Sequence, residues 1–313
     1  MLATLATVFA LVTAAVAPSA AARAGKPALT RAEADSITHA IEKGREEARE
    51  WLRSSPTSYL ATVQRIDFGA RERLTVGSAP DNLVRLEDAQ VQPHHLSVHV
   101  VGDSFHVEAL DDSAWITVKG ATLREVTLGP STIALGRFSL RLSHQRYPAI
   151  IVFDPLSPRL KPDAGMDHFP PDMAWRFVLP LTPNAHPDTV VIVSTRGSLR
   201  RAVRVGWFRF EVRGVPCRLE ADRLLEPGVG EHDMAVFFRD RTTGKETYPV
   251  GRYLDPVALP DGRFLLDFNL AYNPACAYSE HYNCPIPPRG NRLGVAVRAG
   301  EKDPHHIAHA PAP

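Results

Sequence analysis

The chain has 313 residues, about twice the length of a typical domain, so two folded units are expected. Lysine and arginine sum to 36 and aspartate and glutamate to 35, a net charge of +1 that excludes a strongly basic nucleic-acid binder. A 44% hydrophobic and 23% charged composition is globular, not disordered, and three cysteines are too few to build a disulfide scaffold.

Residues Leu2 to Ala17 are apolar apart from threonine, and the first charged side chain is Arg23. That run is short for a spanning helix, and Ala20-Ala21-Ala22 after it fits the small-residue cleavage pattern of a secretory signal. A signal peptide over residues 1–22 is therefore expected, with an uncleaved anchor as the alternative. Cleavage would leave an exported protein, periplasmic or extracellular, with no integral membrane span.

Thr30 followed by Glu33 reads as a capping box. Ile37, Ala40, Ile41, Ala48, Trp51 and Leu52 recur at helical spacing, so one amphipathic helix is expected over 30–55. Beyond it the fold class is mainly β. Runs at Leu74–Val76, Leu83–Leu86, Leu96–Val101, Phe105–Val107, Trp115–Val118, Ile133–Leu135 and Phe138–Leu142 are spaced like a sandwich. They mark a first β-region over 57–145.

A proline-rich passage, Pro155 to Pro187, leads into a second β-region over 146–303, read as a barrel or sandwich-like domain with long proline-rich loops. Its expected strands are Val190–Ser194, Trp207–Val212, Met234–Phe238, Thr247–Val250, Phe264–Phe268 and Leu293–Val297. Asp240 to Gly244 reads as a hairpin loop, and Asp261-Gly262 as a tight turn. The histidine- and proline-rich tail, 304–313, is expected to be unstructured.

Within the first β-region, Thr75-Val76-Gly77-Ser78, Val91-Gln92-Pro93-His94-His95 and Ile133-Ala134-Leu135-Gly136 resemble the motifs of a forkhead-associated domain. The resemblance implies a β-sandwich. It departs where that family binds phosphothreonine: Ser78 stands where an arginine is expected, and Gln92-Pro93 where Ser-Arg is expected. Without those charge-assisted donors no phosphothreonine recognition is expected. His95 then reads as a structural histidine.

From Phe208 to Lys302 the chain resembles the domain of unknown function 1684 family. Phe237-Phe238-Arg239-Asp240, Gly251-Arg252-Tyr253-Leu254, Leu266 to Cys276, Cys284-Pro285-Ile286-Pro287-Pro288 and Ala299-Gly300-Glu301-Lys302 carry the likeness. It implies a fold and no reaction. Polar residues packed on proline-rich backbone need many hydrogen-bond partners if buried. One reading is a rigid loop that satisfies itself, with Arg252 paired to Asp267 or Glu301. The other is a ligand site lined by Tyr248, Arg252, Asp267, Asn269, Tyr272, Asn273, Asn291, Arg292 and Glu301.

Cys276 and Cys284, eight apart in an exported chain, are expected to form a disulfide, with Cys217 a buried free thiol. Arg196, Arg200, Arg201 and Arg204 read as a solvated hairpin loop, or as a grip for an anionic group. Glu220 and Asp222 read as a carboxylate pair explained by an exposed turn or strand edge. There is no Walker loop, G-x-G-x-x-G or G-x-S-x-G, so no cofactor or serine elbow is indicated, and no metal site is assigned. The leading expectation is an exported, non-catalytic binding or structural envelope protein for an unknown small molecule or envelope component, with no nucleic-acid partner. The rival is a hydrolase acting on an envelope or anionic substrate. It would use Asp267 or Glu301 as acid or base, with Arg252 or Arg292 holding an anionic group.

Overall fold

In the computed structural model the described residues are 29–161 and 165–305. The expected signal peptide at 1–22, and the tail from residue 306 on, lie outside the described residues. Helix α1 (Arg31–Ser54) begins as its sequence predicts. The Thr30 hydroxyl accepts the Glu33 amide at 3.3 Å, and Glu33 Oε2 accepts the Thr30 amide at 2.7 Å. Its buried face carries Ile41, Leu52 and, unexpectedly, Arg45.

The first β-region contains β1 (Thr62–Asp67), β2 (Arg73–Gly77), β3 (Val84–Arg85), β4 (Leu96–Val101), β5 (Ser104–Ala109) and β6 (Ile116–Val118). It continues with β7 (Ala121–Leu123), β8 (Glu125–Leu128), β9 (Ser131–Leu135), β10 (Phe138–His144) and β11 (Pro148–Phe153). They form a six-stranded sheet in the order β1-β11-β10-β9-β6-β7 and a five-stranded sheet in the order β3-β2-β4-β5-β8. Phe68, Leu74, Val76, Val98, Phe105, Ile133, Leu140 and Ile150 fill the space between them. This is the two-sheet sandwich that alternation at spacing two calls for.

The sandwich extends past residue 145, because β11 pairs with both β1 and β10. Alternation along β11 explains why its sequence is apolar throughout. Ile150 and Val152 face the sandwich core, whereas Ile151 and Phe153 pack with Ala61 on the opposite face. A strand buried on both sides has no polar face to announce it.

The second β-region contains β12 (Arg176–Leu179), β13 (Leu181–Pro183), β14 (Thr189–Val193), β15 (Leu199–Val212), β16 (Val215–Leu224), β17 (Val236–Phe238), β18 (Arg252–Leu254), β19 (Val257–Ala258) and β20 (Phe264–Asp267). They make open sheets, β12-β20-β19, β13-β15-β14 with β16 on β15, and the pair β17-β18. Among the described residues no sheet closes into a barrel. Two expected strands are absent: Thr247–Val250 forms a turn after a single bridge from Thr247 to Thr243, and Leu293–Val297 is irregular, just after a bridge at Arg292. Both are apolar because they cover the core and not because they pair.

Strands β15 and β16 meet in a two-residue turn, Arg213-Gly214, with φ of 50° and 80°. Positive φ at both positions suits the right-handed twist of a long hairpin. The arginine cluster thus lies largely on a strand and not in a solvated loop. Arg200 is buried against Glu226 and the Asn283 carbonyl, and Arg204 Nε lies 3.0 Å from Glu220 Oε2.

Helix α1 packs on the second β-region. Arg45 donates to the carbonyls of Phe169 at 2.9 Å and Asn269 at 3.0 Å, while Leu52 joins a cluster with Phe237, Tyr248, Tyr253, Cys276 and Tyr278. The two β-regions also touch directly: Thr62 Oγ1 and Tyr282 Oη lie 3.0 Å apart, and Arg196 Nη2 is 3.2 Å from Asp67.

Candidate functional site

The polar residues singled out between Tyr248 and Glu301 lie close together, but they close on one another and on backbone. Arg252 is 1% exposed. Its guanidinium pairs with Asp240 at 2.9 Å and donates to the carbonyls of Val297, Ala299 and Glu301 at 2.8, 2.5 and 3.1 Å. The expected side-chain pairing with Asp267 or Glu301 is replaced by Asp240. That carboxylate is preset by a tight turn in which its Oδ1 accepts the Thr242 amide and hydroxyl, each at 2.6 Å.

Asp267 caps the next turn, accepting the Asn269 amide at 3.1 Å, and pairs with Arg176. Asn269 exchanges two hydrogen bonds with the Asp172 backbone at 2.8 and 2.9 Å. Asn291 accepts the Glu220 amide at 2.7 Å and donates to the Glu220 and Phe237 carbonyls at 2.9 Å. Arg292 is exposed and apart from the rest. Tyr248 donates to the Cys276 carbonyl at 3.2 Å.

Glu301 is a buried carboxyl whose protonation is shifted upward. Its Oε2 accepts the Asn273 amide at 2.7 Å and the Tyr278 hydroxyl at 2.9 Å. Asn273 also donates from its side chain to the Lys302 carbonyl at 2.7 Å. Burial pushes the Glu301 carboxyl up to about 7. The same burial raises the nearby Tyr59 to about 12 and Tyr278 well above its ordinary value. Asp267 and Glu301 therefore end in closed contacts instead of facing a shared cleft.

The expected Cys276–Cys284 disulfide is not present; both are buried free thiols, as is Cys217. Hydrogen bonds hold the pair: the Cys276 amide donates to Cys284 Sγ at 3.3 Å, and Tyr248 Oη lies 3.5 Å from Cys276 Sγ. Burial raises Cys284 well above its ordinary value, and its hydrogen bond to Cys276 lowers the latter. His95 is tied down in the sandwich, its Nδ1 accepting the Gln92 amide at 3.1 Å and its Nε2 3.1 Å from the Trp115 carbonyl.

One feature of the site was not legible in the sequence. Glu220 and Asp222 are not at an exposed edge: they are 6% and 1% exposed, in the middle of the β15–β16 hairpin. Asp222 lines a cavity of about 470 Å³ together with Asp255, Asp233 and His232. Both its oxygens are buried without a hydrogen-bond partner among the described residues. Burial and the neighbouring Glu220 push Asp222 up to about 7. Burial also raises Asp255, against a hydrogen bond from Tyr272 Oη at 3.2 Å. The signal available beforehand was the alternation of Val215, Cys217, Leu219 and Ala221 with polar residues, weakened as a strand signal by Pro216, Glu220 and Asp222.

No curated protein matches the chain. Among solved structures, an uncharacterized protein of Haloarcula marismortui is 35% identical, with 48% of this chain and 82% of that one covered and a TM-score of 0.38. The FhaA FHA domain, solved in complex with the intracellular domain of another protein, is 24% identical over 25% of this chain and 78% of its own, with a TM-score of 0.20. Mycobacterium tuberculosis EmbR in complex with a low affinity phosphopeptide is 17% identical over 39% of this chain and 32% of its own, also at 0.20. Residues 164–302 match the family described as protein of unknown function (DUF1684), and through this region the chain belongs to that family.

Proposed function

We propose that this is an exported, non-catalytic binding or structural protein of the cell envelope, in which the second β-region is the working part and the sandwich and helix hold it. The observation that carries this reading is the closure of Arg252 on Asp240 and three carbonyls. Both terminal guanidinium nitrogens are engaged and Nε is buried inside the protein, so Arg252 presents no donor to a substrate anion, and Asp267 and Glu301 are likewise occupied. Export is supported by the apolar run Leu2 to Ala17 ahead of Ala20-Ala21-Ala22. In an oxidising compartment the adjoining Cys276 and Cys284 thiols would pass two electrons and two protons to the resident dithiol oxidase and join, while Cys217 stays reduced. Fractionation of producing cells, with N-terminal sequencing of the mature chain, tests export. Purified protein assayed on esters, glycosides and peptides of envelope type should show no turnover. Turnover abolished by Asp222→Asn would replace the binding reading with the hydrolase one, since Asp222 and Asp255 are the raised carboxyls that share a cavity.

A further inference from the structure

The cavity beside the β15–β16 hairpin is built from three segments. Asp222 and Leu224 come from β16, Val229 to Ala235 from the connection into β17, and Asp255 with Pro256 from the residues after β18. Asp222 and Ala235 exchange backbone hydrogen bonds at 3.0 and 2.9 Å, which fixes the connection against the strand, with Asp222 in the cavity wall. At about 470 Å³ the volume is within the usual range of small-molecule sites, roughly 300–1,000 Å³.

The charges around it are one-sided. Asp222, Asp233 and Asp255 line the cavity with His232, and neither lysine nor arginine does. Arg204, opposite Asp222 across the hairpin, lies against Glu220 at 3.0 Å, and its charge only partly offsets the burial of Asp222. Asp233 accepts the Gly230 amide at 2.7 Å, and Asp255 accepts the Tyr272 hydroxyl at 3.2 Å. Among the described residues Asp222 has no donor, although it is 1% exposed and both its oxygens are buried. Sequestering a carboxylate in this way is costly unless N–H donors reach it.

The other walls are hydrocarbon, from Leu224, Val229, Met234, Ala235 and Pro256. Among the described residues no group of three His, Cys, Asp or Glu is placed to hold a metal ion. An organic cation fits better than a bare one, because its N–H groups would meet Asp222 while its carbon body covers the apolar walls.

We propose that the cavity lined by Asp222 and Asp255 is a binding site for a small organic ammonium ion, with Asp222 as the counter-charge and the hydrocarbon walls selecting an alkyl body. This rests on the binding reading above and names its ligand class. An alkylammonium donates up to three hydrogen bonds, which suits a carboxylate with both oxygens free.

The test is calorimetric titration of the full chain with n-butylamine and putrescine as probes, and 1-butanol as the uncharged isostere. The amines should bind at least about tenfold more tightly than the alcohol at pH 8, and Asp222→Asn should remove that preference. Because Asp222 is raised to about 7, amine binding should tighten as pH rises from 6 to 8, where the carboxyl ionises while the amine stays charged. Met234→Trp fills the cavity without touching the carboxylate and should abolish binding of both amines. It keeps the test decisive should Asp222→Asn fail to fold. Equal affinity for butanol and butylamine, an unchanged preference in Asp222→Asn, or no amine binding at millimolar concentration would overturn the proposal. Enzymatic turnover would instead sink the non-catalytic reading and leave a measured amine site standing.

Discussion

The Arg252 guanidinium lies 2.9 Å from the Asp240 carboxylate, with the two side chains 1% and 0% exposed. Asp240 arrives through the tight turn that follows β17, and Arg252 opens β18, so the pair joins the two ends of the connection between adjacent strands. The terminal guanidinium nitrogens also reach the carbonyls of Val297, Ala299 and Glu301, which binds the irregular C-terminal segment to the same strand pair. Arg252 thus ties down a segment with no regular structure, beside the Val297 amide donating to Asp240 Oδ1 at 3.3 Å and the backbone bonds of Arg239 with Asn291 and Leu293.

Arg252→Met should therefore destabilise the second β-region strongly. Removing one partner leaves a buried carboxylate and three carbonyls without their donor, a loss of about 3–5 kcal/mol. Urea denaturation followed by tryptophan fluorescence would report it. A change below about 1 kcal/mol would mean that water replaces the guanidinium.

Arg45 makes a comparable link for the helix. Its two hydrogen bonds, to Phe169 and Asn269, are buried polar contacts of α1 with the second β-region. Arg45→Met keeps much of the apolar stem and removes the donors. Each charged hydrogen bond contributes about 1.5–3 kcal/mol, so α1 should become protease-sensitive well below the global unfolding midpoint. Limited proteolysis with mass mapping over Arg31–Ser54 checks this, and simultaneous loss of helix and core would contradict it.

The raised carboxyl of Glu301 has a definite sign in stability. Its folded value, about 7, lies above the ordinary value of 4.5, so the folded protein holds a proton that the unfolded chain has released. That contribution is fully present below about pH 4.5 and is lost as pH rises through 7. The expected decline between pH 5 and 8 is about 1–3 kcal/mol, to which Asp222 adds in the same direction. Glu301→Gln and Asp222→Asn should each flatten the slope. A profile that rises with pH in the wild type and does not change in either variant would refute the assignment.

Thiol chemistry separates the oxidised from the reduced protein. Folded protein should react slowly at all three cysteines, because each is buried. Protein recovered from an oxidising compartment and denatured without reductant should show one reactive thiol, assigned to Cys217, whereas cytosolic protein should show three. Three in both preparations would remove the disulfide from the mature protein. Fast labelling of Cys276 in the folded state would indicate that the thiol lowered by Cys284 is also reachable.

The sequence by itself determined the features that depend on neighbours along the chain. The Thr30–Glu33 capping box and the helical spacing after it place α1 to within one residue at each end, since a cap and an amphipathic face are set within a few turns. Alternation marks β2, β5 and β9, whose buried apolar positions alternate with more exposed ones. The Asp261-Gly262 turn is found between β19 and β20, with Gly262 at φ 80°, where a residue without a Cβ is needed.

Tertiary structure alone decided the rest, because the partners are far apart in sequence. Strand β11 is covered on both faces, and β16 buries Glu220 and Asp222 against segments that arrive only after the chain has turned back. Arg252 has carboxylates on several sides in sequence, and only the fold brings Asp240 to it and leaves Asp267 to Arg176. The cavity follows the same logic. A lone aspartate in a strand reads as solvated until the connection from Val229 to Ala235 and the residues after β18 close around it, and burial then costs the carboxylate its water without supplying a donor.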